Sequence, residues 1–556
     1  MRVRDMKWRI GIIAGICIAI VTVVATYIEN LPKDRKEVNV ITAFIAKHGE
    51  RLAYRNDIRH ELADRTGCEV EVEWVKEGEA KRHIEKMIAS RKYPDLIDGY
   101  EGTAELIKAG AFVPLENYIN DYPNIKKYLS EEEWDDLRDE EGHIYIIPQY
   151  NIINKEDTST TFRKGAFWIQ KGVLEWAGYP EIKYLEDYFD LIDRYKREHP
   201  TFHGESTIGL EIICDEERGS ILTNPIQLVS GYVNDGCAIV NENTLEAKIY
   251  DFIPQAKEYY ELLNQQYLRG VIPSNMFVTS NSDYIENISS GRVLGIVDLY
   301  WMFESAQLKL YEKNMCRQTY VPLGLALDES VSSIYRSKTK MDPSHGIGIT
   351  VDCQDVRKVL QFLDELLEPD NMKLRYWGKE GIDYMVSEDG KFYRTEEQRE
   401  KSASMEYRRS HLCRYSFLPH YEGYLEDGIN TVQPEDQPEE YKASLCEYDR
   451  EFLKAYGYET FMDFLQNVEV VDHEWSELDT YVRKWNHSTK SGKIRDQIMK
   501  ERLYWIPQLI MAPKEEFDTI WTQYQDDFYH VVDVETYEQE LTKEVHRRVK
   551  KSRKGN

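Results

Sequence analysis

The chain is 556 residues long, enough for two domains or one large two-lobed body, and its 71 Lys and Arg against 99 Asp and Glu leave a formal net charge of −28. That surplus of acids excludes a body built to wrap nucleic acid, which needs clustered cations to neutralise phosphate. An apolar share of 42% with 12% aromatics, including 39 Tyr and 11 Trp, excludes extended disorder and collagen-like or mucin-like chains.

Arg2, Arg4, Lys7 and Arg9 precede a run over 10–28 that holds no charged residue. As a helix it spans about 28 Å, long enough to cross a bilayer, and its basic flank stays in the cytoplasm. Residues 1–31 therefore read as an export segment, either a signal anchor or a signal peptide with Val23 and Ala25 at a cleavage site. The length of the apolar run favours the anchor. Cys17 lies inside it behind Ile16, where a lipoprotein signal requires a small residue. The other seven cysteines are scattered, with no CxxC pair and no zinc spacing. An odd exported set cannot pair fully within one chain, so most of them read as small buried hydrophobes. Arg547, Arg548, Lys550, Lys551, Arg553 and Lys554 form a basic tail, read as a solvated terminus.

After a polar linker at 31–36, apolar β-branched residues predict a strand over 38–44. Ile58 and Leu62, four apart, predict a helix over 51–66 that Gly67 ends. Strict alternation of Val70, Val72 and Trp74 with Glu69, Glu71 and Glu73 predicts a strand over 68–75. A helix over 79–90, a short buried strand over 93–98 and a helix over 103–109 follow. The order β-α-β-α-β-α implies a mostly parallel sheet covered on both faces. Ligands of such a sheet sit beyond the carboxyl ends of its strands, which singles out residues 46–49 and 98–101. An apolar strand is predicted over 143–148, then strand, helix and strand over 165–171, 184–196 and 207–213. A turn at 234–236, buried strands over 291–297 and 345–351, a helix over 355–367 and a hairpin at 387–390 complete the pattern. The rest is mostly helical.

No phosphate loop, dinucleotide fingerprint, nucleophile elbow, HExxH pair or calcium-loop pattern is present, so neither cofactor nor metal is expected. Aromatics do gather at predicted strand ends: Tyr100, Tyr150, Tyr300, Trp301, Tyr376 and Trp377. Ring faces there suit the C–H surface of sugars, and neighbouring Asp, Glu and Asn suit the hydroxyls.

Four stretches in order resemble the extracellular solute-binding proteins (family 1) of carbohydrate ABC transporters, of the larger Gram-positive type. They are Tyr93-Pro94-Asp95-Leu96-Ile97 with Gly110 through Pro114-Leu115; Gly142-His143-Ile144-Tyr145-Ile146-Ile147-Pro148; Gly291-Arg292-Val293-Leu294-Gly295-Ile296 with Tyr300-Trp301; and Tyr376-Trp377-Gly378-Lys379-Glu380-Gly381 with Glu388-Asp389-Gly390-Lys391. The resemblance implies an α/β, periplasmic-binding-protein-like type II fold: two α/β lobes joined by a hinge, with an extended C-terminal helical region. It places lobe 1 at 38–153 and 318–352, and lobe 2 at 154–317 and 353–556. His48, Asp98, Tyr100 and Glu101 would line the first side of the cleft, Tyr150 and Asn151 the crossover, and Tyr300, Trp301, Trp377 and Glu380 the opposite side. The implied function is capture of a carbohydrate by hinge closure and delivery to ABC permease subunits, without catalysis, by a monomer held at the outer face of the cell membrane. A surface sugar-sensing module and an exported glycoside-active enzyme are the alternatives. The chain departs from the family pattern at Gln170 and Gly172, where an Arg and an Asp are expected.

Overall fold

The computed structural model describes residues 38–555 apart from 50–51, 77, 140, 153–157, 215–218, 233–236, 332–333, 335, 338–340, 466–469, 472 and 477. The export segment 1–31 and the turn at 234–236 lie outside the described residues. Among the described residues, no helix is long and apolar enough to cross a membrane.

Two principal sheets are built from β1 (Asn39–Ile45), β2 (Cys68–Trp74), β3 (Leu96–Asp98), β4 (Gly165–Gln170), β5 (Ile208–Glu211), β6 (Val293–Leu299), β7 (Tyr320–Leu323) and β8 (Gly348–Ile349). The first has the order β8-β3-β1-β2. Its β1 runs parallel to β2 and β3, with Ile41 beside Val70 and Phe44 beside Ile97, while β8 is antiparallel. Helices Asp57–Thr66 and Ala80–Ser90 make the crossovers, as the alternating pattern predicts. The first of these starts at Asp57 rather than 51 because Asn56 caps it. The Asn56 side chain accepts from the Arg59 N–H at 2.9 Å, and its amide donates to the carbonyls of Arg409 and Leu412.

The second sheet has the order β7-β4-β6-β5, with β4 antiparallel to both neighbours and β6 parallel to β5. Gln170, where the family pattern expects an arginine, is a buried bolt: its amide donates to the carbonyls of Gly291 and Val293 at 3.0 and 2.9 Å.

The predicted strand at 143–148 is a single bridge, Ile147 to Ile347. Gly346 and Gly348 permit this crossing. A Cβ on Gly346 would stand 2.3 Å from the Ile147 carbonyl oxygen, and one on Gly348 2.5 Å from the Phe112 ring.

Two main cores follow the sheets, and they redraw the boundaries expected from the sequence. The first joins β1, β2, β3 and β8 to helices Val356–Leu366 and Pro369–Tyr376 and reaches Val432, with a small satellite around Phe44, Ile97 and Phe112. The second joins β4 to β7 with the C-terminal helices and reaches Val549. Residues 320–327 thus belong to the second body, because β7 hydrogen-bonds β4. Residues 353–432 belong to the first, because helix Val356–Leu366 packs on helix Asp57–Thr66.

Buried ion pairs hold the C-terminal region to the second core. The Lys171 ammonium lies 2.5 Å from Asp449, both side chains fully buried, and also donates to the Tyr311 hydroxyl at 3.1 Å. Arg502 grips Asp251 with two hydrogen bonds of 2.6 and 2.7 Å. The basic tail is not simply solvated. Arg547 and Arg548 pair with Glu544, and Lys551 reaches Asp136 on the first body at 2.9 Å.

Removing one partner of a fully buried pair strands the other charge in a low-dielectric interior. Asp449→Ala is therefore expected to cost about 3–5 kcal/mol in chemical denaturation, while the double change Lys171→Met with Asp449→Leu recovers most of that loss. A cost below about 1 kcal/mol for Asp449→Ala would show that the pair is solvated.

Candidate functional site

The carboxyl ends of β1 and β3 release Lys47 and Asp98 on one side, and the end of β6 releases Tyr300 and Trp301 on the other. Asp98 is wholly buried and accepts from the Tyr100 N–H at 3.0 Å. That short-range bond accompanies the left-handed backbone of Tyr100, φ +46°. The Asp98 carboxylate also meets His345 Nδ1 at 3.2 Å, and the Tyr100 ring stacks on the His345 ring at 4.4 Å. Above this stack the Lys47 ammonium lies 5.4 Å from the Tyr100 ring centre and 4.9 Å from that of Trp301. Trp301 keeps 51% of its surface exposed. Rings from the two bodies thus face one another across one lysine.

The electrostatics follow from enclosure. Burial lowers the Lys47 pKa although the side chain keeps solvent contact, and Asp98 partly restores it. Burial and then Asp98 push the Tyr100 phenol up. Burial alone would lower His345, but Asp98, by charge and hydrogen bond, and then Asp342 outweigh it and raise the pKa, against opposition from Arg483. Asp342 in turn meets Arg483 of the second body at 3.1 Å, so a chain of charges runs from β3 across the junction.

A second meeting place lies along the same junction. Glu304, on helix Tyr300–Glu312, has its pKa raised by burial, with partial offset from Arg163. Arg163 is surrounded by Asp436, Glu435, Glu304 and Glu422, which outweigh burial and raise its pKa. Facing them on the first body, Arg414 holds Glu435 at 2.7 Å, and the buried Tyr376 hydroxyl has no hydrogen-bond partner among the described residues. A depression of about 640 Å³ lined by Asn281, Ile285 and Lys309 lies on the second body, and no predicted site residue lines it.

The predicted site residues divide as follows. Asp98, Tyr100 and Trp301 come together. Tyr300 stands beside them, half-buried against Trp168 and Phe303 at 5.6 and 5.5 Å, so one of its faces is committed to packing. His48 and Glu101 are exposed at the rim. Tyr150 and Asn151 lie in a strand paired with His420–Glu422, and only their backbone is described.

Trp377 is a correction. It is fully buried on the first body against Tyr384 and Phe392, and its indole N–H donates to the Thr431 carbonyl at 2.8 Å. A satisfied N–H and an enclosed ring leave nothing for a ligand. Glu380 is exposed on the same body as Trp377, beside Lys379, which pairs with Glu61 at 2.7 Å. Neither residue lies on the second body where the resemblance put them. Lys47 lies in the strand exit singled out at 46–49, although it was not placed among the residues lining the cleft; His345, which opened the strand expected at 345–351, was missed. Arg163, Glu304 and Arg483 gave no signal, because their neighbours are remote in sequence.

No protein-family model matches the chain. The lipoprotein LipO of Bacillus subtilis (strain 168) is 22% identical over 386 residues, 65% of this chain and 70% of that protein. Among solved structures, the alginate-binding protein AlgQ2 without calcium ion superposes with a TM-score of 0.61 at 14% identity, covering 93% of this chain and 99% of the other. The Streptococcus pneumoniae ABC-transporter substrate-binding protein FusA in complex with kestose gives 0.59 at 16%, covering 92% and 99%. An HMO-binding, ABC-transporter-associated solute-binding protein from Bifidobacterium longum infantis gives 0.56 at 14%, covering 92% and 99%. The chain therefore has the mixed α/β, periplasmic-binding-protein-like fold of solute-binding proteins, the fold that the four sequence stretches imply.

A raised imidazole pKa stabilises the folded state fully below the unfolded value of about 6.5, and that stabilisation is lost as pH rises through the folded value. His345→Gln is expected to flatten the stability–pH curve of the protein over that window. In histidine NMR titration, Asp98→Asn should move the His345 midpoint downward; an unmoved midpoint would disprove their coupling.

Proposed function

We propose that this chain is the extracellular substrate-binding component of an ABC importer, which takes up a carbohydrate, in particular an oligosaccharide, between its two lobes and hands it to membrane permease subunits. The observation that carries this reading is the half-exposed Trp301 set opposite Tyr100 with Lys47 between them. Sugar rings stack on such aromatic faces through their C–H surface, and Asp, Glu and Arg side chains take the hydroxyls. The charged residues Glu304, Arg163 and Glu435 add to the polar lining along the junction. A ligand touching both bodies favours the closed arrangement over an open one, and its binding shifts that population. The fold neighbours named for kestose and alginate support the ligand class. The segment 1–31 would hold the protein, as a monomer, at the outer face of the membrane, in keeping with the lipoprotein relative.

Binding rather than catalysis is the reading that the fold neighbours support, since those named are binding proteins. Glu211 is a buried carboxyl that burial pushes up to about 7, but it is 1% exposed and sits beneath the Asn287 amide. Glycoside cleavage requires two carboxyls facing one sugar bond.

Refolded protein stripped of ligand is expected to gain thermal stability with members of an oligosaccharide panel. A ligand at about 100 times its Kd adds about 2.7 kcal/mol. Trp301→Ala should weaken that ligand about 5- to 150-fold, by about 1–3 kcal/mol. Unaltered affinity in a folded Trp301→Ala protein would remove the residue from the site. Shifts from peptides alone would overturn the carbohydrate assignment, and recovery of cleaved sugar would replace binding by catalysis.

A further inference from the structure

Two cysteines far apart in the chain share one neighbourhood. Cys316 begins the short turn Cys316–Gln318 that leads into β7, and Cys446 is the residue before helix Glu447–Tyr456. That helix packs on that turn. Shared partners fix the two elements: the Glu175 carboxylate accepts from Arg317 Nε at 2.6 Å and from the Tyr448 hydroxyl at 3.1 Å. Lys171 ties them a second time, its backbone N–H donating to the Thr319 carbonyl at 2.9 Å and its ammonium to Asp449. Inside this frame the Cys446 and Cys316 thiols lie near enough to act on one another, and both act on the Lys171 ammonium. Both residues keep partial solvent contact, so a small reagent can reach them.

We propose that Cys316 and Cys446 form a disulfide when the folded chain meets a disulfide oxidant, cross-linking the turn before β7 to the start of the C-terminal helical region. The Cys316 thiolate attacks one sulfur of the oxidant RSSR, breaks its S–S bond and releases RS⁻, leaving a mixed disulfide. The Cys446 thiolate then attacks the Cys316 sulfur and releases the second RS⁻. Two cysteines are oxidised by two electrons, RSSR is reduced to two RSH, and the two thiol protons end on the released thiols. Burial, and then the contact with Cys316, push the Cys446 thiol up to about 12, so the closing step accelerates as pH rises. The bond would close a loop of about 130 residues, a length at which cross-linking removes much chain entropy from the unfolded state. Its presence in the cell rests on the export proposed above, where oxidants are supplied; its formation on the purified chain does not.

The test uses the full chain, reduced, freed of reductant, and incubated folded with oxidised glutathione at mildly alkaline pH. Remaining thiols are blocked with N-ethylmaleimide, and peptides are mapped without reduction. The expected product is one peptide pair joined through Cys316 and Cys446, about 2 Da lighter than its reduced parts. Reductant should then lower the melting midpoint of the oxidised protein by at least about 2 °C and leave Cys316→Ser and Cys446→Ser unchanged. Recovery of both cysteines as maleimide or glutathione adducts, or of Cys316 joined to a different cysteine, would overturn the proposal. The mapping is made on the unaltered chain, so it stands even where a serine variant fails to fold. Protease accessibility on intact cells tests export separately, so that reading can fail while the cross-link stands.

Discussion

The ion pair between Lys171 and Asp449 is the constraint on which the arrangement of the second body depends. Neither group reaches solvent, and each would be prohibitively costly to bury alone. Lys171 follows directly on β4, the strand that β6 and β7 both join, while Asp449 lies in the first turn of helix Glu447–Tyr456. Pairing them sets the C-terminal region against the middle of the second sheet. The Arg502–Asp251 pair then fixes helix Lys490–Met511 in the same core. With that region in place, helix Tyr300–Glu312 has a fixed floor, and Trp301 at its start is presented rather than buried.

The same C-terminal region also reaches the first body. Arg483 meets Asp342, Lys484 donates to the Asp136 carbonyl, and Lys551 pairs with the Asp136 side chain. These contacts are partly buried, and burial lowers the Lys484 pKa to about 8 with partial offset from Asp136. Their common feature is that each spans the two cores, as does the approach of Lys47 to Trp301. Any relative movement of the bodies therefore has to exchange polar contacts for water, a near-balanced trade. The burial of Asp98 matters here, because an immobile carboxylate orients both His345 and Tyr100 toward the junction.

Legibility differed between fold and site. The first sheet was readable because its alternation is local: apolar Val70 and Val72 against the interleaved glutamates admit one strand register and one inward face. Asp98 and Tyr100 were readable for the same reason, since the exit of a parallel strand is a place defined by topology. Trp377 was misplaced because an aromatic at an element end looks the same whether its indole N–H meets a ligand or the Thr431 carbonyl. The lobe boundaries were misdrawn because the partner of β7 is β4, about 150 residues earlier, and pairing at that distance leaves no mark on the local sequence.

By itself, the sequence determined the α/β class of the body, the order of strands and helices up to residue 109, and the strand exits at which Asp98 and Tyr100 stand. Those follow from periodicity, which depends only on residues a few positions apart. The tertiary structure alone decided which body owns residues 320–327 and 353–432, which tryptophan faces outward, and which charges stand together. Arg163 with Glu304, Asp342 with Arg483 and Lys171 with Asp449 are joined by long-range packing, and the electrostatic field that sets their chemistry exists only once distant segments exclude water from between them.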